Sequence, residues 1–163
     1  MADTFTKIQT VTVGSGGSAT IAFTSIPQIY TDLSLKFSGR NVNNAFTFSI
    51  ALNGTTVTDA RRLFATGSGN MSSDTYNGMY TDYSSALANT FGSAEIYIPN
   101  YAGTSLKSFS VDAVSEDNYS SAYMNLGALL LSSADAVTSI SLIPESGNFA
   151  EFSNATLYGI KNS

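Results

Sequence analysis

The chain has 163 residues and a net charge of −5, with 43% hydrophobic and only 12% charged residues. That length and apolar content fit one domain with a substantial core and exclude a disordered chain. The seven Lys and Arg stand singly except for Arg61-Arg62, so no basic stripe offers itself to phosphates; nucleic-acid binding is excluded, and no apolar run approaches a transmembrane span.

Thr4 to Val13 alternates loosely, with Phe5, Val11 and Val13 in phase and Ile8 on the opposite face; this predicts a first strand with a bulge or a face-switching edge. Gly14-Ser-Gly-Gly-Ser18 has the composition of a hairpin loop, and lacks the following helix and Lys-Ser/Thr pair that a phosphate-cradling loop needs. Ala19 to Arg40 organises the chain: Ile21 and Phe23 share one face before an Ile26-Pro27 corner, and Leu33, Leu35 and Phe37 share one face of the strand after it. Phe46, Phe48, Ile50 and Leu52 alternate cleanly up to Asn53-Gly54, a tight-turn dipeptide. Thr55 to Thr66 is compatible with a short strand and loop or with a helical turn through Asp59 to Leu63. Gly67 to Ser73 reads as an exposed loop, and residues 74–91 as irregular chain with at least one strand. Gly92 to Ile98, Lys107 to Val114, Tyr119 to Leu131 with a bulge at Gly127, Ala136 to Ile143 and Ser153 to Ile160 complete the predicted strands. About eight to ten strands with almost no helical periodicity predict an all-β, antiparallel β-sandwich in a single domain spanning 1–163, and a jelly roll suits that number and length best.

The residues point away from catalysis. Histidine and cysteine are absent, removing the usual general base, the commonest transition-metal ligand and thiolate chemistry. The twelve acids are scattered; only Glu116-Asp117 are adjacent, and neighbouring residues point apart, unlike the facing pair of a glycosidase. Ser115 to Asn118 lacks calcium-ligand spacing, and nothing sets a serine beside Lys36, Lys107 or Lys161 as a nucleophile–base pair. Neither a catalytic set, a metal nor a cofactor is expected. The four Asn-x-Ser/Thr triplets, at Asn53, Asn70, Asn118 and Asn154, fit chance in so Asn-, Ser- and Thr-rich a chain, and with residues 1–13 lacking the basic start and apolar run of a signal peptide, glycans are not expected.

Aromatic residues are the surface clue. Nine Tyr and ten Phe exceed what one small core needs, and Tyr30, Tyr76, Tyr80, Tyr83, Tyr97, Tyr101, Tyr119 and Tyr123 often fall out of phase with the inward residues. Such rings suit subunit interfaces, where one end is buried and the hydroxyl stays wet; saccharide stacking would use the same rings, but Trp is missing. The candidate interface comprises Phe5, Lys7, Arg61, Arg62, Tyr76, Tyr80, Tyr83, Tyr97 and Tyr101, with Met1 to Lys7 as an arm onto a neighbour and Arg61-Arg62 supplying local or inter-subunit ion pairs.

Four segments carry a resemblance: Phe23-Thr-Ser-Ile-Pro-Gln-Ile-Tyr-Thr-Asp-Leu33, Glu95-Ile-Tyr-Ile-Pro-Asn-Tyr101, Ser139-Ile-Ser-Leu-Ile-Pro-Glu-Ser-Gly-Asn-Phe149 and Ala155-Thr-Leu-Tyr-Gly-Ile160. Their order resembles that of small virion structural proteins of tailed bacteriophages, especially aquatic and cyanobacterial ones. The resemblance implies a jelly-roll protein without enzymatic activity that decorates or cements the outer capsid surface. Its expected partners are the major capsid protein and further copies of itself, commonly as a homotrimer, with neither nucleic acid nor membrane. Related domains also form tail-fibre and receptor-binding tips that recognise host glycans or proteins. The sequence from Met1 to Ser163, without heptads, Gly-x-y repeats or a long attachment region, favours a self-contained decoration module. A surface-polysaccharide enzyme is the third reading, and would require two acids facing across a cleft.

Overall fold

The computed structural model describes residues 4–116 and 122–161, and no helix occurs among them. In chain order the strands are β1 (Phe5–Thr12), β2 (Ile21–Phe23), β3 (Asp32–Gly39), β4 (Thr47–Leu52), β5 (Thr55–Thr56), β6 (Asp59–Thr66), β7 (Met71–Asp74), β8 (Met79–Tyr80), β9 (Gly92–Ile98), β10 (Lys107–Ser115), β11 (Tyr123–Leu131), β12 (Ile140–Pro144) and β13 (Asn154–Ile160). The count exceeds the expected one because β5, β7 and β8 are only two to four residues long. None of the three carries an apolar i, i+2 pair of the kind that marks the equally short β2.

All ladders between these strands are antiparallel, in sheets of order β1-β13-β3-β9-β10-β11-β6-β7 and β2-β12-β4-β5, with β8 also on β4. Eight strands form a nested set: β1 pairs β13, β2 pairs β12, β3 pairs β9 and β4 pairs β8. That is a long hairpin rolled on itself, with its two halves shared between two sheets, which defines a jelly roll. The excursion between β4 and β8 supplies β5, β6 and β7, and that between β9 and β12 supplies β10 and β11. Four of these strands extend the first sheet outward from β9.

Alternation decides which face each strand buries. Ile21 and Phe23, Leu33, Leu35 and Phe37, Phe48, Ile50 and Leu52, Ala94, Ile96 and Ile98, and Ile140 and Leu142 all sit in one core between the sheets. Phe37 packs edge-on against Phe48 and Phe149, with centroids 4.8 and 5.4 Å apart, a favoured arrangement of ring quadrupoles. Phe46, by contrast, is exposed ahead of its strand. The Ile26-Pro27 corner is held from three sides: the Tyr101 hydroxyl donates to the Pro27 carbonyl, Gln28 Nε2 donates to the carbonyls of Ile26 and Val137, and the Ile26 amide donates to Thr138.

Several local expectations change. The Gly14–Ser18 loop is no hairpin: β1 and β2 lie in different sheets. The loop turns through positive φ at Gly16 and Gly17, and Ser18 then exchanges backbone hydrogen bonds with Phe149, which draws the chain across to the second sheet. Hairpin and sheet-crossing corners use the same flexible residues, so composition cannot separate them. Asp59 to Leu63 is strand, not helix. Met71–Asp74 pairs with β6, although its side chains stay largely exposed. The ladders through Gly127 run without a shift to Val111 and Arg62, so the expected bulge is absent. The bulge expected near Ile8 is present, between Lys7 and Gln9.

Candidate functional site

Two places gather the residues that composition singled out. The first surrounds Arg62. Alternation along β6 turns Arg61 outward and Arg62 inward, where only 7% of it remains exposed. Its guanidinium grips Asp74 on the neighbouring β7 at both oxygens, Nε to Oδ1 at 2.9 Å and Nη2 to Oδ2 at 3.0 Å, and Nη1 donates to the Gly78 carbonyl. The rings of Phe64, Tyr76 and Tyr80 each lie 4.9 Å from its central carbon. A flat, weakly hydrated cation is suited to such a cage, where a compact ammonium is not. Tyr80 then stacks on Tyr123 (4.7 Å) and Phe46 (5.9 Å), and Tyr83 meets Phe46 edge-on. Hydrogen bonding from Arg62 holds the Asp74 carboxyl below its usual range, while burial pushes the Tyr80 phenol up. Every nitrogen of this guanidinium donates to a partner within the chain.

Other polar groups are likewise spent on the fold. Lys107 is buried with Nζ donating to the carbonyls of Gly103, Ser105 and Ala134 at 2.5–3.1 Å, using all three ammonium donors. Arg40 donates to the carbonyls of Ser84, Ala86, Leu87 and Thr90 and so pins the 84–90 loop. Asp32 accepts from the Tyr97 hydroxyl and the Asn100 amide, both at 2.8 Å, and the first of these bonds raises the Tyr97 phenol. Lys36 pairs with Glu95, which holds that carboxyl below its usual range. Asp82 is fully buried, accepting from Ser115 through Oδ1. Among the described residues no three acids converge as a metal site would require.

The second place is the outer face of the eight-stranded sheet. The ladder registers arrange its outward residues in rows. One row runs Thr156, Lys36, Glu95, Asp112, Leu126, Leu63, Ser73 from β13 to β7. The row beside it runs Asn154, Ser38, Ser93, Val114, Met124, Ala65, Met71. On the opposite side lie Tyr158, Ser34, Tyr97, Ser110, Ala128 and Arg61. The face therefore changes character at β10: the jelly-roll half is polar, while the added half exposes Val114, Met124, Leu126, Leu63 and Met71 at 42–71%. Antiparallel strands with one wet face alternate apolar with polar; β11 instead carries Leu126, Ala128 and Leu130 outward as well as Leu129 and Leu131 inward. Hollows of about 500 and 420 Å³ flank it, one lined by Tyr97 and Asp112 and the other by Arg61 and Leu130.

The expected interface residues divide accordingly. Arg62, Tyr76, Tyr80 and Tyr83 meet in the first cluster, where Tyr76 keeps a face to solvent. Arg62, Tyr80 and Tyr101 require correction as surface residues: each is buried within its own chain, because Asp74, the ring stack and the Pro27 carbonyl already satisfy them. Lys7, Tyr97 and Arg61 lie in one outer row, since Lys7 pairs with Tyr158 across the β1 edge. Phe5 is exposed on that same edge strand, edge-on to Tyr158. Asp117, Asn118, Tyr119 and the first three residues lie outside the described residues.

The chain matches no family model, no curated protein and no solved structure with which it was compared. Its candidate surface therefore rests on its own geometry. Leu63, Met71, Asp112, Val114, Met124 and Leu126 lie outside the set that out-of-phase tyrosines mark. The readable signal was the near-continuous run from Leu126 to Leu131, of the kind that marks a strand covered on both faces.

Proposed function

We propose that this protein is a non-enzymatic structural subunit of a tailed-phage virion, coating the outer capsid surface as a homo-oligomer bound to the major capsid protein. The observation carrying this reading is where the four resembling segments fall. Phe23 to Leu33 is the β2–β3 corner, Glu95 to Tyr101 is β9 and its turn, Ser139 to Phe149 is β12 and its loop, and Ala155 to Ile160 is β13. All belong to the nested eight-strand roll, and none to β6, β7, β10 or β11. The resemblance thus coincides with the scaffold, and the added strands give that scaffold a broad plate for neighbours. Consumption of Lys107, Arg40, Asp32 and Arg62 by internal contacts supports a role in binding over one in chemistry.

Quantitative mass spectrometry and imaging of purified particles test this reading. Hundreds of copies spread over the shell are expected. Copies confined to the tail would transfer the chain to the receptor-binding reading, and absence from the particle would sink both.

A further inference from the structure

The apolar half of the outer sheet face has a rim that indicates what covers it. Asp112, on β10, is the ladder partner of Leu126, and Arg61, on β6, is the partner of Ala128. They stand on opposite sides of β11, both exposed, and neither has an ion-pair partner among the described residues. The neighbouring charges are already committed, Glu95 to Lys36 and Asp59 to the Ser132 hydroxyl. One unpaired acid and one unpaired base flanking an apolar strip form a self-complementary pattern, since a twofold contact presents the same patch from both sides.

We propose that the outward plate of β10, β11, β6 and β7 is a twofold interface with a second copy of this chain. A dyad lying in the contact plane and crossing β11 between Leu126 and Ala128 sets each Asp112 opposite the other copy's Arg61. The same rotation brings Leu63 of one copy against Leu126 of the other. Four strands about 4.8 Å apart and three rows about 6.8 Å apart give a plate of roughly 400 Å² in plan. In plan that is about half of the ~800 Å² that each partner of a standard complex buries, as suits a reversible contact. A polar partner would leave Leu126 and Leu63 unmatched, whereas a second copy covers both and pairs the rim charges. A twofold contact gives a dimer, where the resemblance implies a homotrimer; it rests on this chain's own geometry, and its test needs no capsid.

Sedimentation equilibrium of the full chain over a wide concentration range should give twice the 17.1 kDa chain mass, reversibly. Asp112→Arg and Arg61→Asp should each weaken dimerisation by about tenfold or more, because each sets like charges face to face at both symmetry-related pairs. The double variant, Asp112→Arg with Arg61→Asp, should recover most of the loss. Leu126→Ser should also weaken the dimer while leaving the far-ultraviolet spectrum and dilute-solution melting unchanged, since the side chain is outward. A chain monomeric throughout, a trimer, a dimer indifferent to the charge variants, or a double variant no better than the singles would each overturn the proposal. A dimer that never appears on virions would leave this contact standing and remove the capsid reading alone.

Discussion

Arg62 is the residue whose replacement says most about the added strands. Two charge-assisted bonds to Asp74, one to Gly78 and three aromatic faces act on a single side chain. Lysine keeps the charge but offers neither the planar fork nor the stacking surface, so Arg62→Lys should lower stability by about 2 kcal/mol, read from urea unfolding. Asp74 gives the same cluster a pH dependence. Its carboxyl is held below its unfolded value by Arg62, so the folded state binds that proton less readily than the unfolded chain. The resulting stabilisation is present at neutral pH and is lost as pH falls below the ordinary carboxylate range. In melting temperatures measured from neutral to acid pH, Asp74→Asn should lie below the native chain at neutral pH and converge with it in acid. A slope unchanged by the substitution would remove Asp74 from the acid response. Part of the slope should remain, because Lys36 lowers Glu95 in the same direction.

At the scale of elements, the turn after β4 shows sequence and tertiary contacts acting on one residue. Asn53 and Gly54 both take positive φ, as a two-residue hairpin between β4 and β5 requires. Asn53 does more than turn: its Nδ2 donates to the Ala136 carbonyl, and its Oδ1 accepts from the amides of Thr138 and Ser139. The hairpin is thereby tied to the segment leading into β12. Asn53→Gly keeps the backbone and loses only these bonds, and should cost about 1–2 kcal/mol; Asn53→Ala also strains the left-handed φ and should cost about 1 kcal/mol more. Comparison of the two urea midpoints separates the tie from the turn. Gly127 has a different role. A Cβ there would meet Met79 at 3.0 Å, so the missing side chain lets β8 lie close over β11 and leaves the ladder regular.

The whole molecule is a roll with a wing, and the two share one core. The β9–β10 ladder continues the sheet, Met79 packs with the same buried cluster as Phe37 and Phe48, and the Tyr80 amide donates to Asn125 of β11 at 2.9 Å. Unfolding is therefore expected to be one transition. Heat denaturation followed by far-ultraviolet dichroism and by the near-ultraviolet signal of the Phe46, Tyr80 and Tyr123 stack should give superimposable curves. An earlier loss of the near-ultraviolet signal would make the wing a separate unit.

Alternation along the longer strands determined the all-β class, the inward residues and most strand boundaries, because side-chain direction in a strand is a local property repeating every two residues. Glu95 and Tyr97 fall opposite Ala94, Ile96 and Ile98 by that alternation, but it says nothing of their neighbours in space. Pairing decided the rest. Whether Gly14 to Ser18 closes a hairpin or crosses between sheets, whether Arg62 faces water or Asp74, and whether Leu63 lies beside Leu126 all depend on which distant strand docks alongside. That choice is set by the packing of the whole core, and the period of a single strand carries no record of it.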